Sequence, residues 1–190
     1  MSTMTISHIY TTIPDQDCSP VQQEVLHLLE KLHIPFQYVS HDPANTMEDC
    51  KAISEALNVA VCKNLFLCNR QQTEFYLLCM PADKPFKTKD LSAQIGSARL
   101  SFGSAEKMEE LLGVTPGTAS VLGLMNDKEN QVKLLLDRST YQAAYFGCHP
   151  CQNTGTLRIE TSDLLNLFLP YVGHKATIVD LPEETAASDC

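Results

Sequence analysis

The residues of this chain whose types and spacing could do chemistry fall in three places. The first is the stretch FGCHPCQNTGT, residues 146–156, which sets Cys148 and Cys151 in CxxC spacing around His149. Such a pair can hold a zinc ion or exchange a disulfide. A structural zinc site wants four ligands, usually two such pairs, and the cysteines at 18, 50, 62, 68, 79 and 190 supply no second CxxC. A redox pair needs a helix N-terminus to lower its thiol pKa, whereas NTGTLRI reads as turn and strand. No metal is therefore assigned, and the polar groups of the segment, His149, Asn153, Thr154 and Thr156, become its chemical content.

The second place is Lys63, at the entrance to the apolar run NLFLC. It is either a site residue or a strand-edge lysine whose stem covers apolar surface. The third is the glycine-bounded loop from Gly113 to Gly123, GVTPGTASVLG, rich in small residues and shaped for a close backbone approach. Arg99, beside Ser97 and Ala98, is a further cation that is otherwise a plain surface charge. No GxSxG, HExxH, GxxxxGK[ST] or GxGxxG occurs, so any hydrolysis must come from a dispersed constellation.

The elements that would position these groups can be read from pattern. Ser19, Pro20 and Gln22 form a capping box ahead of a helix over about 20–32, with Val25, Leu28, Leu29 and Leu32 at helical spacing. IPFQYVSH (34–41) reads as a strand, and Thr46 with Asp49 opens a second helix over roughly 47–57. NLFLCN and EFYLLCMP, separated by RQQT, read as a hairpin. Two short helices run from Thr88 or Ser104 to Gly96 or Gly113, with the strand ARLSF between them. QVKLLLD, GTLRIE and ATIVDL are further strands, and TSDLLNLFLPY is a short helix opened by Thr161 or Ser162. Several connections are too short for a crossover helix, which predicts an α+β fold with a mixed, largely antiparallel sheet.

Composition limits the function classes. The 190 residues favour one domain, and 44% hydrophobic with 19% charged residues is ordinary globular content. Fourteen Lys and Arg against 23 Asp and Glu give a net charge of −9, against a protein that coats DNA or RNA but compatible with a local grip on one RNA end. No run approaches the roughly 18 apolar residues of a membrane span, and the start lacks a basic region followed by an apolar one, which predicts a cytoplasmic protein with reduced cysteines. Residues 1–19 are read as an N-terminal extension and 182–190 as a disordered acidic tail.

From about residue 20 to 181 the series CKNLFL, FYLLCMPADKPF, IGSARLSFGS, LLGVTPGTASVLGL, FGCHPCQNTGTLRI and DLLNLF resembles, in collinear order, the superfamily of YbaK proteins and prolyl-tRNA synthetase insertion domains. Its free-standing prolyl-tRNA editing branch is the most similar. The resemblance implies a YbaK-like editing domain over 20–181, with a barrel-like sheet surrounded by short helices. The implied activity is a trans-editing deacylase that hydrolyses Ala-tRNA(Pro) without a cofactor. It further implies Lys63, Gly113, Pro116, Gly123 and His149 at the reaction, and Asn64, Arg99, Ser120, Asn153, Thr154 and Thr156 in binding substrate or tRNA. The family segment commonly has Asn at Cys151 and varies at Cys148, so the CxxC is a coincidence of replacements. Implied partners are the acceptor end of mischarged tRNA(Pro) and, among proteins, prolyl-tRNA synthetase or an elongation factor. A Cys-tRNA(Pro) or other misacylated-tRNA deacylase and a non-catalytic tRNA-binding module are the alternatives.

Overall fold

A computed structural model describes residues 3–183, so all but the first two residues of the expected acidic tail lie outside the described residues. The capping boxes act as written. Ser19 Oγ accepts from the Gln22 N–H and Gln22 Oε1 from the Ser19 N–H, starting α1 (Pro20–Lys31). Thr46 and Asp49 do the same for α2 (Met47–Leu57). Between the two helices lies β1 (Gln37–Ser40).

The expected hairpin is β2 (Cys62–Asn69) paired antiparallel with β3 (Phe75–Pro81), Cys62 opposite Pro81 and Cys68 opposite Phe75. Next come α3 (Thr88–Ile95), β4 (Leu100–Phe102) and α4 (Ala105–Leu112). Ser104 caps α4 through the Lys107 N–H, and Gly96 and Gly113 close the two helices at φ 64°. Thr88 is not a cap: Lys87 holds that position without a side-chain bond, and Thr88 is the first helical residue. The expected loop after Gly113 contains a 3₁₀ helix over Val121–Asn126.

β5 (Val132–Asp137) leads into an unanticipated short helix α5 (Arg138–Gln142), capped by Asp137. Strand β6 (Tyr145–Cys148) and β7 (Gly155–Glu160) follow. A continuous helical stretch runs through α6 (Thr161–Asp163), a π turn (Leu164–Phe168) and α7 (Leu169–Val172). Glu160, rather than Thr161 or Ser162, holds its N-cap position. The π turn sits just before Pro170, which has no N–H to continue the α ladder. The last strand is β8 (Ala176–Val179).

The strands form two sheets, β1-β7-β6 and β4-β2-β3-β5-β8. The pairings β1–β7, β6–β7, β2–β3 and β2–β4 are antiparallel, while β3–β5 and β5–β8 are parallel, so the mixed, largely antiparallel expectation holds. The barrel-like expectation does not: among the described residues the sheets do not close on each other. A single parallel bridge, Val61 to Gly147, joins them. A Cβ on Gly147 would lie 2.9 Å from the Ala60 carbonyl oxygen, so a side chain would push the sheets apart at that point.

β2 has apolar neighbours on both faces. Cys62, Phe66 and Cys68 face the main core with α1, α4 and the second sheet, while Leu67 faces a second core with Leu78, Leu91 and Leu100. A strand buried on both faces needs a near-continuous apolar run, which is what FLC supplies. Truncating Leu67, which has no exposed surface, costs about 2–5 kcal/mol by the usual core arithmetic. A third cluster, Val39, Ile53, Leu57 and Val59, holds α2 over the small sheet.

Candidate active site

β2 has a strand partner on each edge along only part of its length. β3 accompanies it throughout, but β4 pairs with it at Leu67–Asn69 alone, and the bridge to the other sheet is at Val61. Between those points one edge of β2 has no strand partner among the described residues, and a cavity of about 470 Å³ opens there. Its walls include Lys63, Asn64, Pro116, Gly117, Ala119, His149, Asn153 and Thr156. Three distant parts of the chain thus meet where the ladder is left open.

Lys63 and Asn64 come from this strand. The Lys63 ammonium donates to the Lys84 carbonyl, and two of its three N–H groups remain available. Lys84 is itself tied to the fully buried Asp137, at 3.0 and 3.1 Å. Asn64 Oδ1 accepts from the Cys79 thiol at 3.0 Å.

The second wall is a tight turn. The Thr118 N–H bonds the Thr115 carbonyl at 2.9 Å, with Pro116 and Gly117 between them and Gly117 at φ 86°. That is the type II pattern, with proline at the first central position and glycine at the second. Thr118 Oγ1 fixes it by donating to the Thr115 carbonyl and accepting from the Thr115 N–H, both at 2.8 Å. The N–H groups of Gly117 and Ala119 have no partner among the described residues, and both residues line the cavity.

The third wall is the 148–156 segment. Ser120, wholly buried, donates from Oγ to the His149 carbonyl at 2.6 Å and so ties this wall to the second. Burial, with His41 nearby, pushes the His149 imidazole down to about 4, and its Nδ1 is buried without a partner. Asn153 Nδ2 donates to the Ala44 carbonyl at 2.9 Å. Thr156 Oγ1 meets His41 Nε2 at 2.8 Å, and His41 Nδ1 meets the Asp42 carbonyl at 2.7 Å. Since a carbonyl can only accept, Nδ1 carries the proton, so Nε2 accepts from the Thr156 hydroxyl. His41 has no counterpart in the sequence-based set. Its signal was present in HDPANT, where a histidine precedes a turn and a capping box.

The remaining candidates stand apart from the cavity. Gly113 is the left-handed cap of α4, with Asn126 packed against it, and Gly123 lies where a Cβ would come within 3.1 Å of the Leu112 carbonyl. Thr154 accepts from Gln22 Nε2 and borders a neighbouring groove with Gly113 and Cys151. Arg99 is exposed just before β4. The CxxC thiols are packing groups. Burial raises Cys148 well above its ordinary value, and burial with Glu24 nearby pushes Cys151 up to about 12. A protonated, buried thiol is a poor nucleophile. Among the described residues no three His, Cys, Asp or Glu side chains converge as a metal site would need, and no helix is long and apolar enough to cross a membrane.

Comparison with known proteins gives this arrangement a family. Residues 41–167 match the aminoacyl-tRNA editing domain. The prolyl-tRNA editing protein ProX of Acetoanaerobium sticklandii is 30% identical over 143 residues, 75% of this chain and 87% of that protein. The zebrafish (Danio rerio) prolyl-tRNA synthetase associated domain-containing protein 1 is 30% identical over 161 residues, 84% of this chain and 86% of its own length. The crystal structure of a candidate trans-editing enzyme for prolyl tRNA synthetase superposes with a TM-score of 0.64 at 18% identity, covering 87% of this chain and 98% of the other. With its α+β fold and a cavity built from strand, glycine turn and histidine segment, the chain belongs to the aminoacyl-tRNA editing domain family.

Proposed function

We propose that this protein is a trans-editing deacylase that hydrolyses Ala-tRNA(Pro), releasing alanine and free tRNA(Pro). The observation that carries the reading is the convergence of Lys63, the Pro116–Ala119 turn, His149 and Thr156 on one cavity. The name of the bacterial relative points the same way. A synthetase site for proline cannot strongly reject the smaller alanine, because lost methylenes are worth only about 1–3 kcal/mol, so a second hydrolytic pocket is needed.

The ester is activated, and a positioned water with stabilisation of the developing oxyanion suffices. Water adds its oxygen to the ester carbon, the ribose oxygen leaves and takes up a proton, and no covalent intermediate is needed. The unpartnered N–H groups of Gly117 and Ala119 are the natural oxyanion donors. Lys63 holds the terminal nucleotide through its two remaining N–H groups, and the free ribose hydroxyl orients the water. His149, neutral at physiological pH, shapes the pocket as a neutral hydrogen-bonding group rather than as an acid. Ser120 holds the turn against the His149 segment, and Gly113 and Gly123 let the turn's flanks pack.

At about 470 Å³ the cavity falls in the range of small-molecule sites and has room for a nucleoside with its aminoacyl group. Rejection of proline therefore rests on the local apolar wall, where Ile53, Phe66 and Met108 are buried, and not on total volume. The test is a deacylation panel of Ala-, Cys-, Ser- and Pro-tRNA(Pro) with Ala-tRNA(Ala). Rapid loss of Ala-tRNA(Pro) with Pro-tRNA(Pro) intact is expected. Survival of Ala-tRNA(Pro) would overturn the reading, and faster loss of Cys-tRNA(Pro) would reassign the substrate.

A further inference from the structure

The mouth of the cavity has two unlike sides. On one, the first turn of α2 presents Glu48 beside Met47, with Asp83 and the lone cation Lys51 along the adjoining groove. On the other, β4 ends at Phe102, which lines the cavity and yet is 63% exposed. Phe86 braces it edge-on, with ring centroids 6.2 Å apart and planes at 67°. The next residue, Gly103, donates its N–H to the Phe66 carbonyl at 2.9 Å, and a Cβ there would lie 2.4 Å from the Phe66 ring. This close contact with β2 fixes the end of β4 that carries Phe102.

Exposed cations sit on the segments that carry the two rings. Phe86 runs directly into the exposed Lys87 and Lys89, and the exposed Arg99 stands three residues before Phe102. Asp90 on α3 and Glu106, Glu109 and Glu110 on α4 are the carboxylates of the flanking helices. Lys87, Lys89 and Arg99 form no ion pair among the described residues, in a chain whose net charge is −9. An exposed aromatic face on segments that also carry unpaired cations is the combination that holds single-stranded nucleic acid: bases stack on the ring while cations follow the phosphates. The acidic α2 side would repel the same strand.

We propose that Phe102 is the stacking platform for the terminal base of the tRNA acceptor end, and that the RNA strand leaves the cavity over the β4 and α3 edge along Lys87, Lys89 and Arg99. This rests on the deacylase reading of the same cavity. Stacking is indifferent to which base is present, so Phe102 contributes grip on the CCA end rather than choice among tRNAs.

The test is a double-mutant cycle between protein and RNA. The probes are an uncharged acceptor-stem hairpin ending in CCA and the same hairpin with an abasic terminal nucleotide. Wild type should bind the abasic hairpin about ten-fold more weakly, a loss typical of one stacked base. Phe102→Leu should bind the CCA hairpin equally weakly and lose almost nothing further on the abasic one, while Phe102→Tyr should restore the difference. Its exposure predicts that Phe102→Leu melts like wild type. Independent, additive losses would overturn the stacking. For the exit direction, Lys87→Glu with Lys89→Glu should weaken binding and flatten its salt dependence, whereas Lys51→Glu should not; the reverse would overturn it. If wild type leaves Ala-tRNA(Pro) intact, the deacylase reading falls. If turnover is normal and the cycle shows no coupling, only the platform falls.

Discussion

The strand wall and the turn wall of the cavity are built on opposite principles. Lys63 and Asn64 lie on β2, which is held along its length by β3, with side chains anchored to the Lys84 carbonyl and the Cys79 thiol. Gly117 and Ala119 lie in a turn that offers backbone, with Pro116, Thr115 and Thr118 fixing its shape. The strand supplies a charge through a side chain; the turn supplies N–H groups through φ values that only glycine accepts readily. A fault in the first wall is therefore chemical and local, and a fault in the second is conformational.

The largest effect should come from the strand wall. Lys63→Ala removes the cavity's cation and should lower deacylation of Ala-tRNA(Pro) on the order of 100-fold or more with little change in melting temperature. Near-normal turnover would take Lys63 out of the chemistry. Next is Gly117→Val. A Cβ meets nothing within 4 Å, so there is room for it, but φ 86° is hostile to a branched residue. Activity should fall about ten-fold or more while stability drops by roughly 1–2 kcal/mol. Equal activity would show that the turn's backbone does not touch the reacting group.

The pH response separates the histidine from both walls. Between its ordinary value near 6.5 and about 4, the unfolded chain takes up a proton that buried His149 refuses, so folding stability should fall as pH drops through that window. His41, lowered by burial, acts in the same direction. Initial rates should show no inflection near pH 6.5; one that disappears in His149→Asn would mean the imidazole titrates during turnover. The smallest effect belongs to the thiols. Cys148→Ala with Cys151→Ala should retain activity without added metal, at a stability cost on the order of 1 kcal/mol per buried sulfur removed. A large loss of activity would return the CxxC to the chemistry.

Much of this was legible in the sequence, and the exceptions share a cause. The starts of α1 and α2 were clear because capping boxes are local: Ser19 with Gln22 and Thr46 with Asp49 sit within one turn, whereas α3, which Lys87 precedes without a side-chain bond, had no such mark. The hairpin was clear because its apolar runs are adjacent. The sheet closure implied by resemblance was not met, because whether two sheets join depends on distant contacts such as Val61 with Gly147. Gly113 and Gly123 look alike as glycines, yet they cap and pack, while Gly117 faces the cavity. His41 is not legible from local pattern, because its partner Thr156 is 115 residues away. Phe102 read as an ordinary strand residue, since a short pattern cannot tell which face of an edge strand is left uncovered.

The most direct test of the account is the ratio of deacylation rates on Ala-tRNA(Pro) and Pro-tRNA(Pro), measured for wild type and Lys63→Ala in the same preparation conditions. Fast release of alanine, retention of proline, and collapse of the alanine rate in the variant are expected. Equal rates on the two substrates, or an alanine rate that ignores Lys63, would contradict it.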